Sequence, residues 1–398
     1  MAEVVADERL RIIAGLVRRT RDFDLAEDSY QDAVERALRR WPIDGVPDNP
    51  AAWLTTTAHR RALDVLRRRR LALDKERELE AMVDGGGRSV EDEALGDDRL
   101  ALLFMCCHPA LPLAGRVALT LKTVTGLSTR EVARAFVVTE ATMSKRLLRT
   151  RQKIINAGIS FRLPPEHRLA ERTNGVLAVV YLLFNEGYAA TEGTTLRPDV
   201  ASEAVRLAGL LAALLPDDDE LAGLHALLLL QHSRRDARAG DDGELLTMED
   251  QHRDRWDHAL IERGLAELDR ARASGRPAGP YRLQAEIAAR HASAPTAAET
   301  DWASIVALYD ALLDAPNPVV ALNRAVAIGF RDGPDAGLAA LDEVDLPGYH
   351  LVEATRAEFL RRAGRPREAA AAYRRALELV GTDAERRLLE RRLADVGG

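Results

Sequence analysis

Apolar side chains recur three and four residues apart in segment after segment, which is the signature of helices with one buried face. Leu10, Ile13, Ala14 and Val17 predict a first helix, and Ala26, Ala33, Val34, Ala37 and Leu38 a second that Trp41-Pro42 is expected to end. After a loop over 42–50, Pro50-Ala51-Ala52-Trp53-Leu54 opens a third helix through Ala58, Ala62, Val65 and Leu66. Leu102, Leu103, Met105 and Cys106 make another apolar face that stops at Pro109. An amphipathic segment over 116–124 is broken by Gly126-Leu127. Ser128 is then placed to cap a short helix over 129–136, with Glu131 completing a capping box. A turn at Val137-Val138 leads to a helix beginning at Thr139 or Glu140, with Met143, Leu147 and Ile154 left for the core.

Paired prolines, Pro164-Pro165, mark a boundary, because proline stops a helix and pushes the preceding residue out of the α region. Beyond them helical periods run over 169–185, 198–215, 220–231, 254–273 and 281–292. Near the end an internal repeat appears at a spacing of 32: Ile305, Gly337, Ala369; Tyr309, Leu341, Tyr373; Leu312, Val344, Ala376. That spacing suits stacked helix pairs of about 34 residues each. The expectation is an all-α protein: a helical N-terminal domain, a helix-turn-helix domain and a C-terminal helical-repeat domain. The 18 aromatic residues (7 Phe, 4 Trp, 7 Tyr) and the abundance of Ala, Leu and Arg agree with it.

Charge changes the picture. The net charge of −7 argues, as an average, against a nucleic-acid partner. Resolved along the chain it is +2 over 1–75, −6 over 76–97, +8 over 98–163 and −11 over 164–398. A basic module thus lies between an acidic, glycine-containing linker (76–97), expected to be a flexible tether, and a large acidic domain. The adjacent Cys106 and Cys107 point to different helix faces and predict no disulfide. No other Cys exists to complete a zinc site with His108, so both are assigned to the core. Glu3, Asp7 and Glu8 stand where an export signal would be basic then apolar. The longest apolar runs, at nine residues, fall short of the roughly 20 that a bilayer requires. A cytoplasmic protein with no membrane association is expected. Phosphate-loop, zinc-protease and serine-hydrolase motifs are absent, so neither enzyme chemistry nor a cofactor is expected.

Six arginines between Arg60 and Arg70 suit phosphate contacts. Their setting is more specific. The stretch Asp24-Leu25-Ala26-Glu27-Asp28-Ser29-Tyr30-Gln31-Asp32-Ala33 resembles the polymerase-binding helix of bacterial sigma factors of the extracytoplasmic-function type. Trp53-Leu54-x3-Ala58-x5-Asp64-x2-Arg67-Arg68 resembles their −10-reading helix. Gly126-Leu127-Ser128-x2-Glu131-Val132-Ala133-x5-Thr139-x2-Thr142-Met143-Ser144-x-Arg146-Leu147-x-Arg149-x-Arg151 is similar to their −35-reading domain, in the same order along the chain. The family usually has Asn at Arg60, Phe at Val34 and Gly at Val137. Gly364-Arg365-x2-Glu368-Ala369-x3-Tyr373-x2-Ala376-Leu377 resembles half of a tetratricopeptide unit, which points to the subgroup of these factors with a long tetratricopeptide-like C-terminal extension.

The resemblance implies that Asp24, Glu27, Asp28, Gln31 and Asp32 contact core RNA polymerase. It places Asp44, Asn49, Trp53, Arg60, Arg61, Asp64, Arg67 and Arg68 on −10 DNA, and Thr142, Ser144, Lys145, Arg146, Leu148, Arg149 and Arg151 on −35 DNA. It implies domains over 1–75, 98–163 and 164–398. The last is expected to control activity, to mask Lys145 and Arg149, or to receive a protein or peptide partner. The alternative is a one-component helix-turn-helix regulator whose C-terminal domain senses a ligand or protein.

Overall fold

The computed structural model describes residues 2–80, 98–136, 138–188, 198–240 and 245–397, and among them the regular structure is helical. The acidic stretch from 81 to 97, and Val137 of the expected turn, lie outside the described residues. The chain divides into two compact units, Met1–Val179 and Val180–Gly398.

The first unit opens with α1 (Ala2–Thr20), α2 (Phe23–Asp44) and α3 (Pro50–Glu80). Leu10, Ile13, Ala14 and Val17 are all at most 3 % exposed, so the predicted stripe is the buried one, and it packs against α2 and α3. Each fully buried Leu, Ile or Val of this stripe contributes about 1.5–3 kcal/mol. The Asp22 carboxylate caps α2 by accepting from the Leu25 N–H at 3.0 Å.

Two expectations need correcting. Pro42 does not end α2: the helix runs on to Asp44 and closes at Gly45, whose φ of 85° is open to glycine. A proline in the last turn removes one hydrogen bond, to the carbonyl of Leu38, which lies on the exposed side of the helix. Trp41, 5 % exposed and edge-on to Trp53 at 5.5 Å, holds that turn in place. The linker also begins later than composition suggests, because 76–80 continue α3.

The second half of the unit holds α4 (Asp98–Cys106), α5 (Leu113–Leu119), a π-helical turn (Thr120–Thr125), α6 (Thr129–Ala135) and α7 (Glu140–Asn156). Cys106 and Cys107 are free thiols in the core. Burial pushes the Cys107 thiol up to about 11, although its contact with the Thr120 hydroxyl at 3.5 Å works the other way. The Ser128–Glu131 capping box forms as expected, and Thr139 caps α7 by accepting from the Thr142 N–H at 3.2 Å. The first unit continues past Pro164-Pro165 into α8 (Glu166–Tyr188): Arg172 donates to the Phe104 carbonyl at 2.6 Å.

The second unit contains α9 (Pro198–Leu214), α10 (Asp219–His232), α11 (His258–Arg272) and α12 (Pro280–Ser293). α10 packs against each of the other three. Then come α13 (Trp302–Leu312), α14 (Pro318–Asp332), α15 (Pro334–Asp342), α16 (His350–Arg362), α17 (Pro366–Leu379) and α18 (Asp383–Gly397). The helices α13, α15 and α17 begin at 302, 334 and 366, so the 32-residue repeat is three successive helix pairs in register. Ile305, Gly337 and Ala369 take the same place on those helices, and all three are buried. The small middle member is dictated by packing: a Cβ on Gly337 would lie 2.6 Å from the Phe359 ring.

Candidate nucleic-acid interface

On α2 the predicted contact residues divide by exposure. Asp24, Asp28 and Gln31 lie on the solvent face, four and three residues apart, and form one polar stripe. Asp32 is half-buried and pairs with Arg36 at 3.0 Å and Arg61 of α3 at 3.8 Å, so a candidate polymerase contact and a candidate DNA contact meet directly. Glu27 is buried, at 6 % exposure.

On α3, Arg60, Asp64, Arg67 and Arg68 are exposed, with Arg61 turned inward toward Asp32. Three and four residues apart, they share one helical face whose balance is basic. Asn49 serves as a helix cap: its side-chain oxygen accepts from the Ala52 N–H at 2.9 Å. Trp53 is half-buried against Trp41, and Asp44 is exposed in the last turn of α2, not in the loop. Arg69, just beyond the predicted set, pairs with Asp22 at 2.7 Å and so ties the second half of α3 to the start of α2.

On α7, Thr142, Ser144, Lys145, Leu148 and Arg149 are exposed, and Leu148 stands 63 % open to solvent. Met143, Leu147, Thr150 and Ile154 fill the opposite, buried face. Arg146 is half-buried over the Phe136 ring at 4.9 Å. The solvent face of α7 thus presents two hydroxyls, two cations and an apolar tip.

Arg151 behaves differently from the rest of that set. Its side chain is 12 % exposed, lies over the Phe23 ring at 5.6 Å and pairs with Asp24, and it sits 3.6 Å from Glu27. Lys122 of the π-helical turn reaches the same Glu27 at 2.9 Å. Arg9 of α1 donates to the carbonyls of Thr123 at 2.8 Å and of Lys122 and Val124 at 3.4 Å each, closing the end of that turn. Gly126 is required there twice over: its φ is +87°, and a Cβ would meet the Arg9 guanidinium at 2.6 Å. Two carboxylates expected to face polymerase and one arginine expected to face DNA are thus bonded to each other. Sequence reading did not find this cluster, because Lys122 and Arg151 lie about a hundred residues from their partners and Arg9 belongs to no motif.

Residues 5–72 match the Sigma-70 region 2 family, and these are α1, α2 and most of α3. Residues 172–272 match a family of unknown function, DUF6596. An uncharacterized protein of Rhizobium meliloti is 43 % identical over 387 residues, covering 95 % of this chain and 91 % of that protein. No solved structure matches the chain. The chain belongs to the family of that relative and carries a Sigma-70 region 2 domain, which supports a sigma-70 family factor, a kind of transcription initiation factor that works with RNA polymerase. Among the described residues no helix is long and apolar enough to cross a membrane.

Proposed function

We propose that this protein is a dissociable initiation factor of the extracytoplasmic-function type that carries core RNA polymerase to specific promoters. The observation that carries the reading is the set of side chains left exposed on one region 2 fold. Asp28 and Gln31 form an acidic and amide stripe on α2 with Asp24, which is exposed but paired with Arg151, and Arg60, Arg67 and Arg68 line α3. Carboxylates on a rigid helix suit charge-assisted bonds to a basic polymerase surface, and arginines on the neighbouring helix suit phosphates of the opened −10 strand. The helix α7, with Thr142, Ser144, Lys145, Leu148 and Arg149 outward, would take the −35 element, and the second unit would set the level of activity.

The cluster of Asp24, Glu27, Lys122 and Arg151 adds a condition. Glu27 has no free surface while Lys122 and Arg151 hold it, so its use by polymerase requires the two halves of the first unit to part. We read the described arrangement as the resting form of the factor. Run-off transcription with core polymerase and genomic promoter fragments tests the function. Transcription should start at discrete sites, and Asp28→Asn should reduce it at least tenfold by weakening polymerase capture. Binding to duplex DNA without polymerase, together with no stimulation of initiation, would instead establish the one-component regulator.

A further inference from the structure

The last helix pairs of the second unit enclose a cavity of about 430 Å³, within the range of about 300–1,000 Å³ usual for small-molecule sites. Its apolar side is built from rings. Trp302 and Phe330 stack with centroids 4.3 Å apart and planes 8° from parallel, and Tyr309, Phe359 and Tyr373 join them on the wall beside aliphatic side chains such as Ile305 and Leu389. Most of the charged groups around it are already satisfied by one another. Arg362 lies over Phe330 at 4.4 Å and bonds Glu358 at 2.9 Å as well as Glu249. Glu358 also accepts from the Tyr373 hydroxyl at 3.1 Å, and Arg392 pairs with Asp250 at 2.8 Å.

Arg253, His291 and Thr300 differ. Arg253 stacks on Trp256 at 4.3 Å and uses Nη1 on the carbonyls of His291 and of Ala294, the latter at 3.1 Å, while its Nη2 is buried without a partner. The Nδ1 of His291, whose ring stands edge-on to Trp302 at 5.3 Å, is also buried and unpaired. So is the hydroxyl of Thr300, a residue only 6 % exposed. Buried polar atoms left unpaired each cost about 1–3 kcal/mol, and three of them on the wall of one cavity are a costly coincidence unless something bonds them. The local field is positive: burial and the neighbouring Arg234 and Arg253 guanidinia press the His291 imidazolium down to about 4, so the ring is neutral. Burial and Arg234 likewise lower Arg253. An anion there would relieve that repulsion.

We propose that this cavity is a binding site for a small organic carboxylate with a planar aromatic body. The carboxylate would accept hydrogen bonds from Arg253 Nη2–H, the Thr300 hydroxyl and the Nδ1–H tautomer of His291, and the ring would pack among the aromatic side chains of the wall. Three unpaired donors and a ring-rich apolar wall suit one amphiphilic molecule with a single anionic head. An extended peptide would need polar partners along its whole length, and the two arginines at the far side of the wall, Arg362 and Arg392, are already paired. The site stands apart from the transcription reading: it concerns the second unit alone.

The test is calorimetric titration of the full-length protein with naphthylacetate, phenylacetate and indole-acetate, each against its neutral amide. At least one acid should bind with a Kd well below about 1 mM and at least tenfold tighter than its amide, as expected for a charge-assisted pair. Thr300→Val, nearly isosteric, should narrow that acid-to-amide ratio several-fold, and Arg253→Gln should abolish it. Phe330→Ala should weaken acid and amide alike. Should Arg253→Gln loosen the end of α12, Thr300→Val still tests the donor set. The proposal falls if none of the acids binds up to about 1 mM, which would mean that ordered water alone satisfies the site. It falls equally if acid and amide bind alike, if both polar variants leave the ratio unchanged, or if a peptide with a free C-terminal carboxylate binds more tightly than every acid.

Discussion

Replacing Glu27 by Gln removes one charge from a buried cluster and leaves its shape intact. The side chains of Glu27, Lys122 and Arg151 are 8 %, 13 % and 12 % exposed, so the substitution takes the paired carboxylate from Lys122 and leaves Arg151 only Asp24, which is 68 % exposed and solvated. Breaking a buried ion pair from one side costs about 3–5 kcal/mol, because the remaining charge stays desolvated. For a unit of this size each kcal/mol is worth about 2–4 °C, so the first unit should melt roughly 6–20 °C lower. Two of the four tryptophans, Trp41 and Trp53, lie in that unit, and the other two, Trp256 and Trp302, in the second. Urea unfolding followed by fluorescence in a Trp256→Phe/Trp302→Phe background therefore reports the first unit alone. The cycle Glu27→Gln, Lys122→Met and their double variant should show a coupling of about 1–3 kcal/mol. Asp28→Asn, on the solvent face of the same helix, should cost no more than about 0.5 kcal/mol. A loss below about 1 kcal/mol for Glu27→Gln, or strict additivity with Lys122→Met, would refute the account of the cluster as a buried lock.

Further outcomes follow from other parts of the molecule. A Cβ on Gly329 would lie 2.2 Å from Phe359, so Gly329→Ala should destabilise the second unit by about 1–3 kcal/mol through overpacking, read as a lower urea midpoint with unchanged slope; an unaltered midpoint would contradict it. His291 is held near 4 when folded against an ordinary value near 6.5, so the unfolded chain takes up a proton that the folded one refuses. Its contribution is therefore complete above about pH 6.5 and falls by up to about 3 kcal/mol as the pH drops to 4. His291→Gln should flatten that part of the pH dependence in the second unit, and an identical slope would exclude His291 as its source. On DNA, Lys145→Ala and Arg149→Ala should each reduce the salt dependence of holoenzyme binding by about one unit of slope if they meet phosphates. Loss of sequence preference at one base pair with the slope retained would place them on base edges instead.

The sequence by itself determined the helices, because a 3.6-residue apolar period is a local property and each turn of helix satisfies its own backbone. Leu10 to Val17, the Ser128–Glu131 cap and the apolar face of α7 are legible for that reason. So was the 32-residue repeat, since successive pairs bury apolar residues at the same helix positions. Region 2 could be recognised because its acidic and basic residues sit on two adjacent helices in a fixed order.

Helix boundaries that depend on distant packing were not legible. The stretch Trp41-Pro42 reads as a stop until Trp53 is seen holding the turn. Only the tertiary structure decided which charges are free. Asp24, Glu27 and Arg151 look like surface contacts along the chain, and they become partners because α2 and α7 of one unit meet. The cavity was equally invisible: Arg253, His291 and Thr300 carry no motif, and what singles them out is that burial leaves each with a polar atom and nothing to bond. Local pattern fixes secondary structure through short-range hydrogen bonding. Desolvation, which gives a buried charge or hydroxyl its meaning, is set by whatever the rest of the chain brings against it.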